Sequence, residues 1–173
     1  MASQTTPRFV RAAAAQLAPA LGDLATNRAQ AAAAIVEAAA RGASIVVLPG
    51  LCVSGYAFAD AEEARASAPH TPVQIEVTVA AATAVVNRVF VVQADRSGRE
   101  RGIEFEAASV IVDPDGRIVA GPEPGVALLV ADLELERARS NSIGPRNDVF
   151  ADRRPELYGG GVSSMGTVTQ ELR

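Results

Sequence analysis

The first clear pattern begins at Arg8. "RFVRAAAAQLAPALGD" opens with apolar residues and then meets Pro19 and Gly22, which predicts a strand followed by a loop. From Asp23 the period changes. "DLATNRAQAAAAIVEAAARGA" is dense in Ala, offers Asp23 or Thr26 as N-cap and stops at Gly42, a residue that readily takes the left-handed position after a helix. A helix is predicted between them. "SIVVLP" follows at once, a short apolar run rich in β-branched residues that predicts a strand buried on both faces. Strand, helix and strand with short links predict a parallel βαβ pair inside an α/β layered fold.

Further along, "FADAEEARASAPHTP" predicts a short acidic helix or turn that ends at Pro69 and Pro72, because the residue before a proline is pushed out of the helical region. "VQIEVTVAAATAVVNR" alternates like a strand in its first half and is helical in composition in its second; helix is predicted from Glu76 to Asn87. "VFVVQAD" predicts another buried strand, followed by the charged loop "RSGRERG". "IEFEAASVIVDPDGRIVAG" predicts two strands around a turn supplied by Asp113, Pro114, Asp115 and Gly116. "VALLVADLELERAR" predicts a last strand running into a short helix. After Tyr158 the Gly and Ser content predicts a flexible tail over 159–173.

Composition adds constraints to this outline. With 173 residues the chain is long enough for one domain with a real core. Of its 49% hydrophobic residues, 35 are Ala and few are aromatic, so burial must come from close packing of small and β-branched side chains. The formal charge is -4 without a long run of one sign, which argues against nucleic acid as a partner. All 16 basic residues are Arg. The absence of Lys removes every ammonium acid, base or Schiff-base nucleophile except the N-terminus. One Cys and one His make neither an internal disulfide nor a structural zinc site, so no metal or cofactor is expected. Arg8 and Arg11 interrupt the N-terminal apolar residues, and the expectation is a cytoplasmic protein without a membrane segment.

"AAAAQLAPALGDLATNRAQAAAAIVEAAARGASIVVLPG" with "VSGY" resembles the opening of the carbon-nitrogen hydrolases, the nitrilase superfamily. "NRVFVVQADRSGRERGIEFEAASVIVDPDGRIVAGP", followed by "LLVADLELERARS" and "GPRNDVFADRRPELY", resembles the closing part of the same domain. The resemblance implies a single nitrilase-like domain over 1–158, with 1–70 similar to the family's N-terminal part and 79–158 to its C-terminal part. It further implies a four-layer αββα sandwich that dimerises through helices, here truncated or rearranged by loss of central strands and helices. The join falls near His70 to Thr78.

Family members are similar in using a Glu as base, a Lys that stabilises developing charge and a Cys that attacks an amide or nitrile carbon. The Glu follows the Leu-Pro after the second strand. That position is Gly50 here, which neither takes nor gives a proton. The segments that would carry the Lys and the nucleophilic Cys are those missing. The resemblance therefore implies a protein without the family's catalytic residues, a non-catalytic homo-oligomer or a companion in a hetero-oligomer with another subunit. The alternative is an active amidase or nitrilase-type hydrolase that uses unconventional residues.

For that alternative the candidate is Cys52, with His70 as base, since a thiolate and an imidazole make a workable pair. The competing reading is that Cys52, between Leu51 and Val53, is a small hydrophobe. Tyr56 matches a position near the family's pocket and either lines a residual binding cleft or packs at a loop. Glu104 and Glu106 share a strand face, and with Arg99 and Arg101 nearby they read as a solvated, charge-balanced edge rather than a catalytic pair. Arg96, Arg99 and Arg101, and the pair Arg153 and Arg154, have the planar forks that bind anions, but alternation with acids favours salt-bridged surface or interface.

Overall fold

The computed structural model describes residues 8–53, 73–100 and 102–157. They fall into two compact units divided between Ser140 and Asn141.

In the first unit, β1 (Phe9–Gln16) leads to α1 (Leu24–Ala40), β2 (Ile45–Val47), α2 (Val73–Asn87) and β3 (Val91–Gln93). Strands β4 (Ser97–Glu100), β5 (Ile103–Glu106), β6 (Val110–Val112), β7 (Ile118–Ala120) and β8 (Ala127–Glu134) follow, and a 3-10 turn at Leu135–Arg139 closes the unit. One sheet has the order β2-β1-β8, with β1 parallel to β2 and antiparallel to β8. A second, antiparallel sheet has the order β3-β6-β7.

Three apolar clusters stack these elements in layers. Ala15, Leu17 and Ala31 join α1 to one face of the first sheet. Ala12, Ala14, Leu129, Leu133 and Ile111 fill the space between the two sheets. Val110 and Val112 with Ala80 and Ala84 seat α2 on the far face of the second sheet. The result is an αββα sandwich with three strands in each sheet. Ala12 to Ala15 are fully buried, which explains an all-Ala strand despite the weak β-propensity of Ala. A strand pressed on both faces needs small side chains so that helix and opposite sheet approach closely.

The βαβ unit forms as the pattern predicts. The Asp23 carboxylate accepts from Thr26 N at 3.1 Å as N-cap of α1. At the other end Gly42 N donates to Ala39 O and Ala43 N to Ala38 O, both at 2.9 Å, the paired bonds of a Schellman motif with Gly42 at φ 79°.

Four expectations are corrected. Within the stretch expected as a charged loop, Ser97–Glu100 form β4, which pairs antiparallel with β5, Arg99 lying opposite Glu104, because the ladder is made by the backbone while the Arg99 side chain stays exposed and that of Glu100 is paired. The stretch 103–121 holds three strands instead of two, since β5 turns away at Ala107 (φ 57°) before β6 begins. Helix α2 starts at Val73, three residues before Glu76, so the alternating half of its sequence is helical as well. Finally, β2 is an edge strand. Ile45 remains 49% exposed because β2 pairs only with β1 among the described residues. A continuous apolar run reports the lack of a polar face but not the strand's place in the sheet.

The second unit is small: β9 (Ser142–Gly144) pairs antiparallel with β10 (Asn147–Asp148), and a 3-10 turn spans Pro155–Leu157. Asp148 Oδ1 accepts from Phe150 N and Ala151 N, at 2.9 and 2.7 Å. The predicted acidic helix before Pro72 and the predicted tail lie outside the described residues.

Candidate functional site

The carboxyl ends of β1, β2 and β3 point the same way, and their loops meet. Leu17, just past β1, bridges in parallel to Arg96, past β3, and Ser97 N donates to Leu17 O at 2.8 Å. In open α/β sheets such strand ends are where ligands and reacting groups sit. Three loops supply this end: the one after β1, the turn after β2 and the stretch from Asp95 into β4.

The turn after β2 contains the position that the resemblance makes informative. Cys52 N reaches Pro49 O at 3.3 Å, Leu51 takes the left-handed conformation (φ 53°), and Gly50 is exposed at the bend. The fully buried Asn27 of α1 ties this turn to the loop after β1. Its Oδ1 accepts from Ala20 N at 2.8 Å, while its Nδ2 donates to Ala20 O at 2.6 Å and Val53 O at 2.9 Å. The turn is therefore held in place, and at Gly50 it presents no side chain.

Cys52 is half-buried and packs against the apolar cluster of Ala15, Leu17 and Ala31 beneath α1. Its surroundings among the described residues are those of a small hydrophobe. His70 and Tyr56 lie outside the described residues, as does Arg101.

Deeper in, polar groups form a continuous buried chain. Gln16 Oε1 accepts from Ser109 N at 3.1 Å, and Gln16 Nε2 donates to Glu123 O at 2.7 Å and to Gly125 O. Ser109 Oγ accepts from Asp95 N at 2.8 Å, and the Asp95 carboxylate accepts from Arg96 N and Ala108 N at 2.8 and 2.9 Å. Arg96 in turn donates to Pro19 O at 2.9 Å, lies 3.9 Å over the Phe105 ring and forms a buried ion pair with Glu100. One oxygen of this carboxylate, Oε2, is bound to the guanidinium, while the buried Oε1 has no hydrogen-bond partner among the described residues. Such a pair fixes geometry more than it adds stability, because desolvation offsets most of the attraction.

Sequence reasoning missed Glu100. It singled out Glu104 and Glu106, which are both exposed on β5, as a solvated edge requires. The signal lay in the hairpin: with β4 paired to β5, Glu100 stands opposite Ile103 on the covered side. Among the described residues the arginines are not brought together as an anion site. Arg96 is buried against Glu100, Arg99 is exposed, and Arg153 and Arg154 are exposed in the second unit. Among the described residues no three His, Cys, Asp or Glu side chains converge as metal ligands, and no helix is long and apolar enough to cross a membrane.

A second polar cluster lies at the end of α2. Arg88 adopts φ 55° in a Schellman motif, with Val89 N donating to Ala84 O at 3.1 Å, a position usually filled by glycine. The guanidinium offsets that strain by donating to Pro114 O, Asp115 Oδ1 and Ser140 O at 2.6, 2.8 and 2.9 Å. Arg137 donates to Asp113 and Asp115 at 2.7 and 2.6 Å. The hydrogen bond from Arg88, then that from Arg137, hold the Asp115 carboxyl below the ordinary carboxylate value. "DPDG" is thus a turn, as read, and also the anchor for two arginines.

Comparison with known proteins gives the same outline. A family model described as carbon-nitrogen hydrolase matches residues 11–78 and 64–141. A nitrilase from Pyrococcus abyssi is 38% identical over 76 residues, 43% of this chain. That alignment spans only 29% of the length of the relative. Among solved structures, a double mutant of the amidase from Nesterenkonia sp. AN1 in complex with acrylamide superposes with a TM-score of 0.65 at 18% identity, covering 89% of this chain and 98% of that one. An amidase from Nesterenkonia sp. superposes with a TM-score of 0.62 at 17% identity, covering 91% and 98%. At these identities the superpositions speak for the fold alone. One further structure of the same amidase shows acrylamide added at its active-site cysteine.

Proposed function

The chain belongs to the carbon-nitrogen hydrolase family, and from that premise we propose that it is a member without the family's chemistry, acting through association with other polypeptides. One observation carries the reading: the bend after β2 holds Gly50 where the resemblance requires a base, in a chain with no Lys at all. Without a carboxylate there the nucleophile has no proton acceptor, and without an ammonium the developing charge has no counterpart. Neither loss is repaired by the buried Glu100, which is paired with Arg96. Buried hydrogen bonds from Asn27 hold the bend in place, which supports a frame that keeps its shape without a reacting group there.

Cys52 is the one thiol available to a residual activity, and its packing against Ala15 and Leu17 supports a structural role. The reading is tested by alkylation. A nucleophilic cysteine is an activated thiolate and reacts faster in the native fold than in the unfolded chain, whereas a packed cysteine reacts more slowly. Intact-mass measurement after incubation with acrylamide is expected to show slower modification of the native protein than of the same protein in denaturant. Faster modification of the native protein would sink the proposal.

A further inference from the structure

We infer that the outer edge of β8 is the docking site for a second copy of this chain, two β8 strands pairing antiparallel so that the β2-β1-β8 sheets of both copies become one. The inference rests on the reading of a protein that acts by association and names the surface.

The backbone directions are fixed by the ladder. Leu135 N donates to Arg8 O at 3.0 Å, and the β1–β8 register pairs Phe9 with Glu134 and so on to Gln16 with Ala127. In an antiparallel ladder successive residues point alternately toward and away from the partner. The odd-numbered residues of β8 are therefore bonded to β1, and Leu128, Val130, Asp132 and Glu134 direct their N–H and C=O groups outward. Two separate bonds agree with this parity. Arg41 Nη1 reaches the outward Leu128 O at 3.4 Å, and on the opposite edge of β1 Ser44 N donates to Arg11 O at 2.8 Å. Among the described residues no strand pairs with the outer edge of β8. An open groove of about 480 Å³ between α1 (Gln30, Ala34, Glu37) and the start of β8 (Ala127, Leu128) leaves the approach clear.

An eight-residue edge left free is a template for another strand, and monomeric proteins protect such edges with charges, prolines or bulges. The charges of the strand itself lie at its C-terminal end, in Glu134 and in Asp132, which Arg11 pairs, and near its N-terminal end Arg41 stands at Leu128 O. The sequence of the strand is compatible with a second copy, because one antiparallel register of β8 against itself brings no like charges together. A two-fold axis at Ala131 sets Val130 opposite Asp132 of the second copy and Leu128 opposite Glu134 of the second copy, using all four outward residues. Like charges do not meet in this register, whereas the register with Asp132 opposite itself would place them together. Arg41, already at Leu128 O, then stands beside Glu134 of the second copy. On the inner face Leu129 meets Leu133 of the second copy, so the apolar layer between the sheets continues across the axis.

Parity gives a sharp test. Val130→Pro removes an outward N–H and leaves the β1 ladder intact, while Ala131→Pro removes a bond to β1. Sedimentation of the full chain across micromolar concentrations is expected to show a two-chain particle for the wild type and a single chain for Val130→Pro, with an unchanged circular dichroism spectrum. Ala131→Pro should lose the fold. If Val130→Pro does not fold, Glu134→Arg decides: it is expected to dissociate the pair by placing two arginines together, and Arg41→Glu added to it should restore association. A wild type that sediments as a single chain overturns the inference and leaves a companion role with another subunit standing. A two-chain particle that survives both Val130→Pro and Glu134→Arg overturns this edge and leaves self-association standing.

Discussion

Gly116 and Gly42 both sit at positive φ, 78° and 79°, yet an added methyl group would meet different surroundings at each. At Gly42 the nearest atom is the flexible end of Arg11, at 3.4 Å. At Gly116 it is Val85 Cγ2 at 2.6 Å, with the backbone oxygen of Ala81 behind it at 3.4 Å. Gly42→Ala should cost about 1 kcal/mol, the strain of a left-handed residue with a side chain. Gly116→Ala adds overpacking against α2 and should cost about 2–4 kcal/mol. Denaturant titration of both variants distinguishes the two, and equal midpoints would show that the contact beneath Gly116 yields freely. Gly42 was legible in the sequence because a helix C-terminus announces itself locally. The tightness at Gly116 was not, since Val85 lies on an element whose packing partner the sequence does not name. The same limit applies to the candidate site: the turn that holds Gly50 and Cys52 was expected where an apolar run ends, while the burial of Glu100 became visible only once β4 and β5 were paired.

At the scale of elements, α2 is fastened to the β6–β7 turn by charge as well as by packing. Arg88 at the helix end and Arg137 beyond β8 both reach the Asp115 carboxylate, at 2.8 and 2.6 Å. Their hydrogen bonds lower its pKa in the folded state. A depressed carboxylate stabilises the fold above its unfolded pKa, near 4, and that contribution is lost as pH falls through the folded value. Asp23, held by its Thr26 hydrogen bonds, and Asp132, held by Arg11, shift in the same direction. The melting temperature should therefore be flat from neutral pH to about pH 5 and decline below about pH 4. In Asp115→Asn it should start lower and decline less steeply, since part of the acid-sensitive contribution is already gone. Parallel acid limbs in the two proteins would count against the clamp. The elements with local start and stop signals, β1, α1 and β8, fell where the pattern put them. The hairpin of β4 and β5 did not, because its polarity matches that of a loop and only pairing distinguishes the two.

For the molecule as a whole, the four layers follow from a sequence that places small residues on both faces of β1 and apolar residues on both faces of β6. The expectation of an α/β layered fold came from the βαβ pattern, and the αββα stacking from the resemblance. Strand order across each sheet was not legible, since the ladder between β1 and β8 joins residues more than a hundred positions apart. Long-range pairing of that kind leaves no local trace. The proposed reading turns on the bend after β2, where the fold supplies a well-held position and the sequence supplies Gly50. The direct measurement is ammonia release from a panel of aliphatic and aromatic amides and nitriles, comparing the purified full chain with its Cys52→Ala variant. The account predicts no release by the wild type above that of the variant. Turnover by the wild type that Cys52→Ala abolishes would contradict it.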